Sequence, residues 1–94
     1  MIKTFADKRA EMVWSRKFSK KLPQDIQKAA RRKLIMLNAA SRKEDLLIPP
    51  SNQFQEYCGK KKLEKYSIRI NDQWRICFHF EDGDAFDVEI VDYH

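Results

Sequence analysis

The strongest constraint on the fold is an alternation of apolar and polar residues in three successive runs between residues 66 and 91. Each run has the period of two that is expected of a β-strand with one buried face. The connections between the runs, residues 71–73 and 82–84, are rich in Asn, Asp and Gly, which favour turns. The second half therefore predicts an antiparallel meander, with its apolar face formed by Tyr66, Ile68, Ile70, Trp74, Ile76, Phe78, Phe80, Phe86, Val88 and Ile90.

The register of this meander follows from the rule that directly opposed residues of an antiparallel pair share a face. Three-residue loops in both hairpins place the apolar sets opposite each other, so that Ile70 opposes Trp74 and Phe80 opposes Phe86. A two-residue loop at residues 82–83 would instead mix the two faces. We therefore predict a three-residue loop in each hairpin.

The same register predicts three opposed pairs on the polar face: Arg69 with Arg75, His79 with Asp87, and Cys77 with Glu89. Like charges directly opposed on a sheet are destabilising. The arginine pair is therefore either exposed to water or directed at an anion. We interpret His79 and Asp87 as an ordinary structural cross-strand pair.

The first half predicts helices. Residues 1–5 suggest a short strand and residues 6–18 a helix, with Asp7 suited to its first turn. Pro23 suits the start of a second helix, in which one apolar stripe recurs at spacings of three and four: Ile26, Ala30, Leu34 and Leu37. Residues 48–52 hold two prolines and predict a loop. At 94 residues the chain predicts one domain, residues 1–94.

Charge is distributed unevenly along the chain. The formal net charge is +5, but residues 1–50 carry thirteen Lys or Arg and five Asp or Glu, whereas residues 51–94 carry six and nine. A second basic focus is the run Lys60-Lys61-Lys62. A basic field of this kind favours polyanions such as nucleic acid. The alternative is a solvated helix surface, which is the commoner role for the residues off the apolar stripe: Lys28, Arg31 and Arg32.

Several classes of protein are disfavoured by composition. Hydrophobic residues make up 43% and charged residues 35%, which is typical of a folded domain and not of a disordered chain. No apolar run approaches the roughly 20 residues that span a bilayer, and residues 1–5 lack the apolar core of a signal peptide. Cys58 and Cys77 have no metal-ligand spacing, so we predict two reduced thiols in a cytoplasmic protein. The acids are scattered, and we expect no metal and no cofactor.

The sequence ends in Tyr93 and His94, directly after the third strand-like run. In the predicted register this strand passes Arg75, so two arginines, a tyrosine and a histidine converge at one end of the polar face. That set suits RNA cleavage by internal attack of the 2′-hydroxyl, which needs proton transfer and cations for the charge that builds on phosphorus. A terminal carboxylate beside His94 favours the imidazolium form of a general acid.

The chain resembles the HigB-type toxins of bacterial type II toxin–antitoxin systems, within the RelE/ParE superfamily. The resemblance rests above all on residues 67–78, SIRINDQWRICF, and on the closing residues 91–94, VDYH. It implies an α+β fold, with two N-terminal helices packed on a twisted, mainly antiparallel sheet. It also implies a metal-independent endoribonuclease that cuts mRNA in the A site of the 70S ribosome and stops growth.

The resemblance further implies site residues and partners. Arg75 matches the family's sheet arginine, and Tyr93 and His94 match its terminal pair. It implies a HigA-type helix-turn-helix antitoxin, with operator DNA bound only through that antitoxin. One departure is Cys58, which stands where some relatives carry an active-site lysine before the glycine at Gly59. We expect Lys60, Lys61 or Lys62 to supply this charge, and Arg69 to support the phosphate.

Two other readings remain open. The first is a non-enzymatic ParE-like toxin that binds a protein target such as DNA gyrase, because a shared fold does not determine activity. The second is a plain nucleic-acid-binding module, whose binding weakens steeply with salt and which neither cleaves RNA nor arrests growth.

Overall fold

The computed structural model describes residues 1–17, 19–58 and 65–92. Its helices and strands are, in chain order, α1 (Lys8–Trp14), α2 (Gln24–Ala39), β1 (Tyr66–Arg69), β2 (Trp74–Glu81) and β3 (Asp84–Asp92). Two short 3₁₀ turns, Lys43–Leu47 and Pro50–Asn52, lie between α2 and β1. The strands form an antiparallel sheet in the order β1-β2-β3. The predicted α+β fold, with two helices packed against an antiparallel sheet, is confirmed.

The hydrophobic core lies between the helices and one face of the sheet. The apolar stripe predicted for α2 is buried as expected, at Ile26, Ala30, Leu34 and Leu37. Facing it are apolar side chains of the sheet, of which Ile68, Ile76, Phe78, Val88 and Ile90 have no exposed surface. Because full burial of a large apolar side chain stabilises a fold by about 1.5–3 kcal/mol, this layer is the main source of stability.

The N-terminal segment runs along β3 and continues into α1. Ile2 pairs with Ala85 and Phe5 with Val88, both in the parallel sense, as isolated bridges and not as a full strand. Asp7 caps α1 by accepting a hydrogen bond from the Arg9 backbone N–H at 2.9 Å. The same carboxylate accepts a bond from the N–H of Ile90 at 3.1 Å. In the second half of β3, the Asp7 side chain therefore accepts the backbone hydrogen bond that a neighbouring strand would otherwise accept.

The first hairpin has the predicted register. Arg69 opposes Arg75, and the N–H of Ile70 donates to the carbonyl of Trp74 at 2.9 Å. A three-residue loop thus connects β1 to β2, as the alternation of apolar residues required.

The second hairpin differs from the prediction. Phe80 opposes Ala85, and not Phe86, because residues 82–83 form a two-residue loop in place of the predicted three-residue loop. A register shift between Cys77 and His79 then restores the matching of faces, so that Cys77 opposes Glu89 as predicted while His79 opposes Phe86. Asp87 takes a positive φ of 53° at this irregularity. One extra residue on β3 absorbs the mismatch, as β-bulges commonly do.

The second face of the sheet is also covered near the middle of β2. Arg75 and Cys77 point away from the helices, yet they are only 5% and 0% exposed. Residues 53–58 pass over this face, and Gln55 pairs with Ser67 through two backbone hydrogen bonds of 2.9 and 3.0 Å. The expected polar face is therefore partly buried.

The two cysteines are joined, and the prediction of reduced thiols is wrong for this structure. Cys58 and Cys77 form a disulfide with their Cα atoms 5.9 Å apart. They are 19 residues apart in sequence, but the pairing of residue 55 with β1 places Cys58 next to the centre of β2.

Among the described residues, neither helix combines the length and the apolar character that crossing a bilayer requires.

Candidate active site

The centre of the candidate site is Arg75, on the central strand. Its Nε donates to Ser67 Oγ at 3.0 Å, and its Nη2 donates to the carbonyl of Gln53 and, at 3.4 Å, to that of Ser67. The Ser67 hydroxyl in turn donates to the carbonyl of Tyr57 at 3.1 Å. The orientation of the guanidinium is thus set by β1 on one side and by residues 53–57 on the other.

Arg69 is the second cation of the same cleft. It lies directly across from Arg75 in the register, and both line a concave surface together with Gln53, Gln55, Asn71 and Asp72. Arg69 Nη2 forms an ion pair with Asp72, whose side chain is almost fully exposed. A surface ion pair of this kind stabilises by only about 0–1 kcal/mol. An anion with a better geometry can therefore displace Asp72 from Arg69.

Lys33, on α2, is a cation near the site that the sequence patterns did not single out. Its Nζ donates to Oδ1 of the fully buried Asn52 at 2.6 Å, one residue before the carbonyl that holds Arg75. Partial burial lowers the pKa of Lys33 below its usual value, and the positive charges of Arg32 and Arg69 lower it further. Its position between Ala30 and Leu34, at the edge of the buried stripe, is the sequence signal that could have identified it.

The three basic residues predicted on α2 do not share one environment. Lys28 and Arg32 are exposed, as expected. Arg31 is half-buried: its guanidinium lies 5.7 Å from the ring centroid of Trp14, and its Nε is buried without a hydrogen-bond partner. Arg31 is therefore less exposed than a solvated helix surface predicts. Lys28 and Arg31 line a groove between α1 and α2, of which Arg32 is not part.

Five of the predicted site residues lie outside the described part of the chain: Lys60, Lys61, Lys62, Tyr93 and His94. The described part of β3 does run toward the site, since Val91 opposes Arg75 and Asp92 opposes Trp74. Gln73 also donates to Asp92 Oδ2 at 3.1 Å.

The structure also shows the contacts of Cys58 and of the predicted pair His79 and Asp87. Cys58, which stands in place of the family lysine, is bonded to Cys77 two positions along β2 from Arg75. His79 and Asp87 are not directly opposed, but the diagonal contact still brings His79 Nε2 within 3.9 Å of Asp87 Oδ2. This pair lies in the half of β2 beyond Cys77, away from the arginines.

The arrangement presents the two guanidinium groups of Arg69 and Arg75 to one concave surface. Guanidinium groups bind phosphate oxygens as a planar fork, and partial burial strengthens such contacts. The cleft is therefore suited to a phosphodiester. Across residues 1–17, 19–58 and 65–92, no three His, Cys, Asp or Glu side chains come together as a metal site.

Comparison with known proteins identifies the family of the chain. Residues 3–94 match a family model described as the RelE-like toxin of type II toxin-antitoxin system HigB. Toxin HigB-1 of Vibrio cholerae is 44% identical over 64 residues, which cover 68% of this chain and 66% of that protein. An uncharacterised protein of Haemophilus influenzae is 36% identical over 65 residues, covering 69% and 63%. The aligned stretch thus spans just under two thirds of each relative. The resemblance is confirmed, and the chain belongs to the HigB-like family of RelE-like toxins of type II toxin–antitoxin systems.

Proposed function

We propose that this toxin is a ribosome-dependent endoribonuclease that cuts mRNA in the A site without a metal ion and so arrests translation and growth. The observation that carries the proposal is the opposed pair Arg69 and Arg75 in one cleft of a HigB-like toxin. Two arginines directly opposed on a sheet repel each other. An anionic substrate between them removes this cost.

The proposed reaction is attack of the ribose 2′-hydroxyl on the adjacent phosphorus. The O2′–P bond forms, the P–O5′ bond breaks, and the products are a 2′,3′-cyclic phosphate and a 5′-hydroxyl. Arg75 stabilises the charge that builds on the phosphoryl oxygens, and Arg69 supports it. His94 gives a proton to the leaving 5′ oxygen, and Tyr93 positions the substrate. These last two roles follow from the family resemblance.

The basic surface extends the proposed contact with RNA. Lys28 and Arg32 are exposed on α2 and would bind ribosomal RNA phosphates, with Arg31 alongside them. Lys60, Lys61 and Lys62 would add positive charge for binding phosphates. Phosphate contacts of this kind are independent of sequence and weaken with salt.

The family also supports proposals about partners. We expect a cognate HigA-type antitoxin with a helix-turn-helix that neutralises the toxin, and operator DNA that is reached only through the antitoxin. The proposed target, mRNA on the 70S ribosome, places the toxin in the cytoplasm. We expect no cofactor and no membrane partner.

The decisive experiment compares the wild type with His94→Ala during a short induction in bacteria, with 5′ ends mapped on abundant transcripts. New ends within coding regions, lost when translation initiation is blocked and absent with His94→Ala, support the proposal. His79→Ala is the matched control, since it removes the other histidine at the far end of the sheet. Growth arrest with intact transcripts would refute the nuclease and favour a toxin that binds a protein such as gyrase.

Arg69→Ala tests the arginine pair. Arg69 is partly exposed and forms its ion pair with the exposed acid Asp72, so this variant should fold normally. We expect cleavage to fall by a factor of roughly 10–100, because one phosphate cation is lost. Arg75→Ala should abolish cleavage, with circular dichroism as the check that this buried position still folds. Full toxicity of both variants would show that the site is wrongly assigned.

A further inference from the structure

Residues 53–58 form a cover over the arginine at the centre of the site. Arg75 is only 5% exposed, and the Gln53 carbonyl accepts a hydrogen bond from its guanidinium. Phosphate oxygens are acceptors of the same kind as this carbonyl. In this state the cover therefore occupies a donor that a phosphodiester needs, and it limits access to the cation.

A covalent bond ties the end of this cover to the sheet. Cys58, the last residue of the segment, is bonded to Cys77 on β2, two residues from Arg75. The middle of the cover is held by two backbone hydrogen bonds between Gln55 and Ser67. A bond that closes a loop restricts the motions of that loop. Loss of the disulfide leaves a cover that is held by hydrogen bonds at the edge of the sheet.

We infer that the Cys58–Cys77 disulfide is a redox switch that keeps the cover closed over Arg75 when oxidised and lets it open when reduced. The inference rests on the proposed function, since it concerns access of RNA to the same cleft. It makes the reduced protein the active toxin and the oxidised protein a restrained form.

The chemistry is thiol–disulfide exchange with a low-molecular-weight disulfide such as oxidised glutathione. The thiolate of Cys58, which is partly exposed, attacks one glutathione sulfur and releases the first glutathione thiolate. The thiolate of Cys77 then attacks the Cys58 sulfur of the mixed disulfide, forms the internal bond and releases the second. Two protein thiols are oxidised and one glutathione disulfide is reduced to two thiols. A dithiol reductant reverses both steps.

The experiment uses the full-length purified protein in oxidised and dithiothreitol-reduced form, with thiol titration to verify each state. Amide hydrogen exchange at Gln55 and Ser67 reports opening of the cover, and cleavage of mRNA on translating ribosomes reports access to the cleft. We expect reduction to speed both, cleavage by roughly tenfold or more. Cys58→Ser should match the reduced wild type with or without reductant. Ser51→Ala, an exposed change near the segment, is the control and should respond to reductant as the wild type does.

Three outcomes overturn the switch: equal exchange at Gln55 in both states, detectable cleavage at equal rates by both states, or faster cleavage by the oxidised form. The last would mean that the disulfide preorganises Arg75. If exchange at Gln55 speeds up on reduction but neither form cuts RNA, the proposed nuclease fails and the redox opening stands. Cys77→Ser is not used as the main variant, because Cys77 is fully buried in β2.

Discussion

Replacing Asp7 by alanine should lower the free energy of unfolding by about 2.5–5 kcal/mol, because one carboxylate accepts hydrogen bonds from both α1 and β3. Loss of the cap on the Arg9 N–H costs about 1 kcal/mol. The N–H of Ile90, a residue with no exposed surface, loses a charged acceptor at 3.1 Å, which costs about 1.5–3 kcal/mol. The paired Arg9 side chain is 30% exposed, so loss of its ion pair adds less than about 1 kcal/mol.

The assay is urea and thermal unfolding followed by circular dichroism. For a domain of this size, the loss corresponds to a fall in Tm of about 13–25 °C. Asp7→Asn retains one acceptor oxygen and should cost less than Asp7→Ala. Asp25→Ala is the matched control: it removes an exposed acid from the first turn of α2, and it should cost less than about 1 kcal/mol. If Asp7→Ala is no more destabilising than Asp25→Ala, the bridging role is refuted.

Three further predictions concern local structure. Gly83→Ala should destabilise by about 1–2 kcal/mol in urea unfolding, since φ is +82° and a Cβ would lie 3.3 Å from the Ser41 carbonyl; an unchanged midpoint contradicts this. Asn52→Ala should lower the free energy of unfolding by about 1–3 kcal/mol, because the Leu46 carbonyl loses the buried amide that donates to it at 3.1 Å. A change near zero would mean that a water molecule replaces this donor. Two backbone N–H groups hold the pKa of Asp45 in the folded protein below its usual value of 3.8. The ionised carboxylate therefore stabilises the fold at pH values above the unfolded pKa. This stability is lost as the pH falls through the folded pKa. Acid titration of unfolding should therefore show the gap between wild type and Asp45→Ala closing below pH 3.8, and a gap independent of pH would refute this.

The first hairpin and α2 were predictable because their signals are local. Each apolar position of α2 reports burial at a spacing that the helix itself imposes. The opposition of Arg69 and Arg75 follows from the loop length and the strand period, with no long-range information. The arginine pair of the candidate site could thus be predicted from one hairpin.

The second hairpin was not predictable in the same way. Its loop has two residues, and a register shift at Asp87 corrects the phase of β3. Alternation alone does not distinguish a three-residue loop from a two-residue loop followed by a bulge, since both return the apolar residues to one face. That ambiguity is why the predicted opposition of His79 and Asp87 was wrong.

The sequence by itself determined the α+β class, the buried stripe of α2, the arginine pair and the membership of the toxin family. Only the tertiary structure decided that residues 53–58 cover Arg75, that Lys33 bonds to the buried Asn52, and that Cys58 meets Cys77. The physical reason is range. Periodicity shows which side of a helix or strand is buried. The approach of a loop to a distant strand depends instead on packing between segments that are far apart in sequence, and no local pattern reveals it.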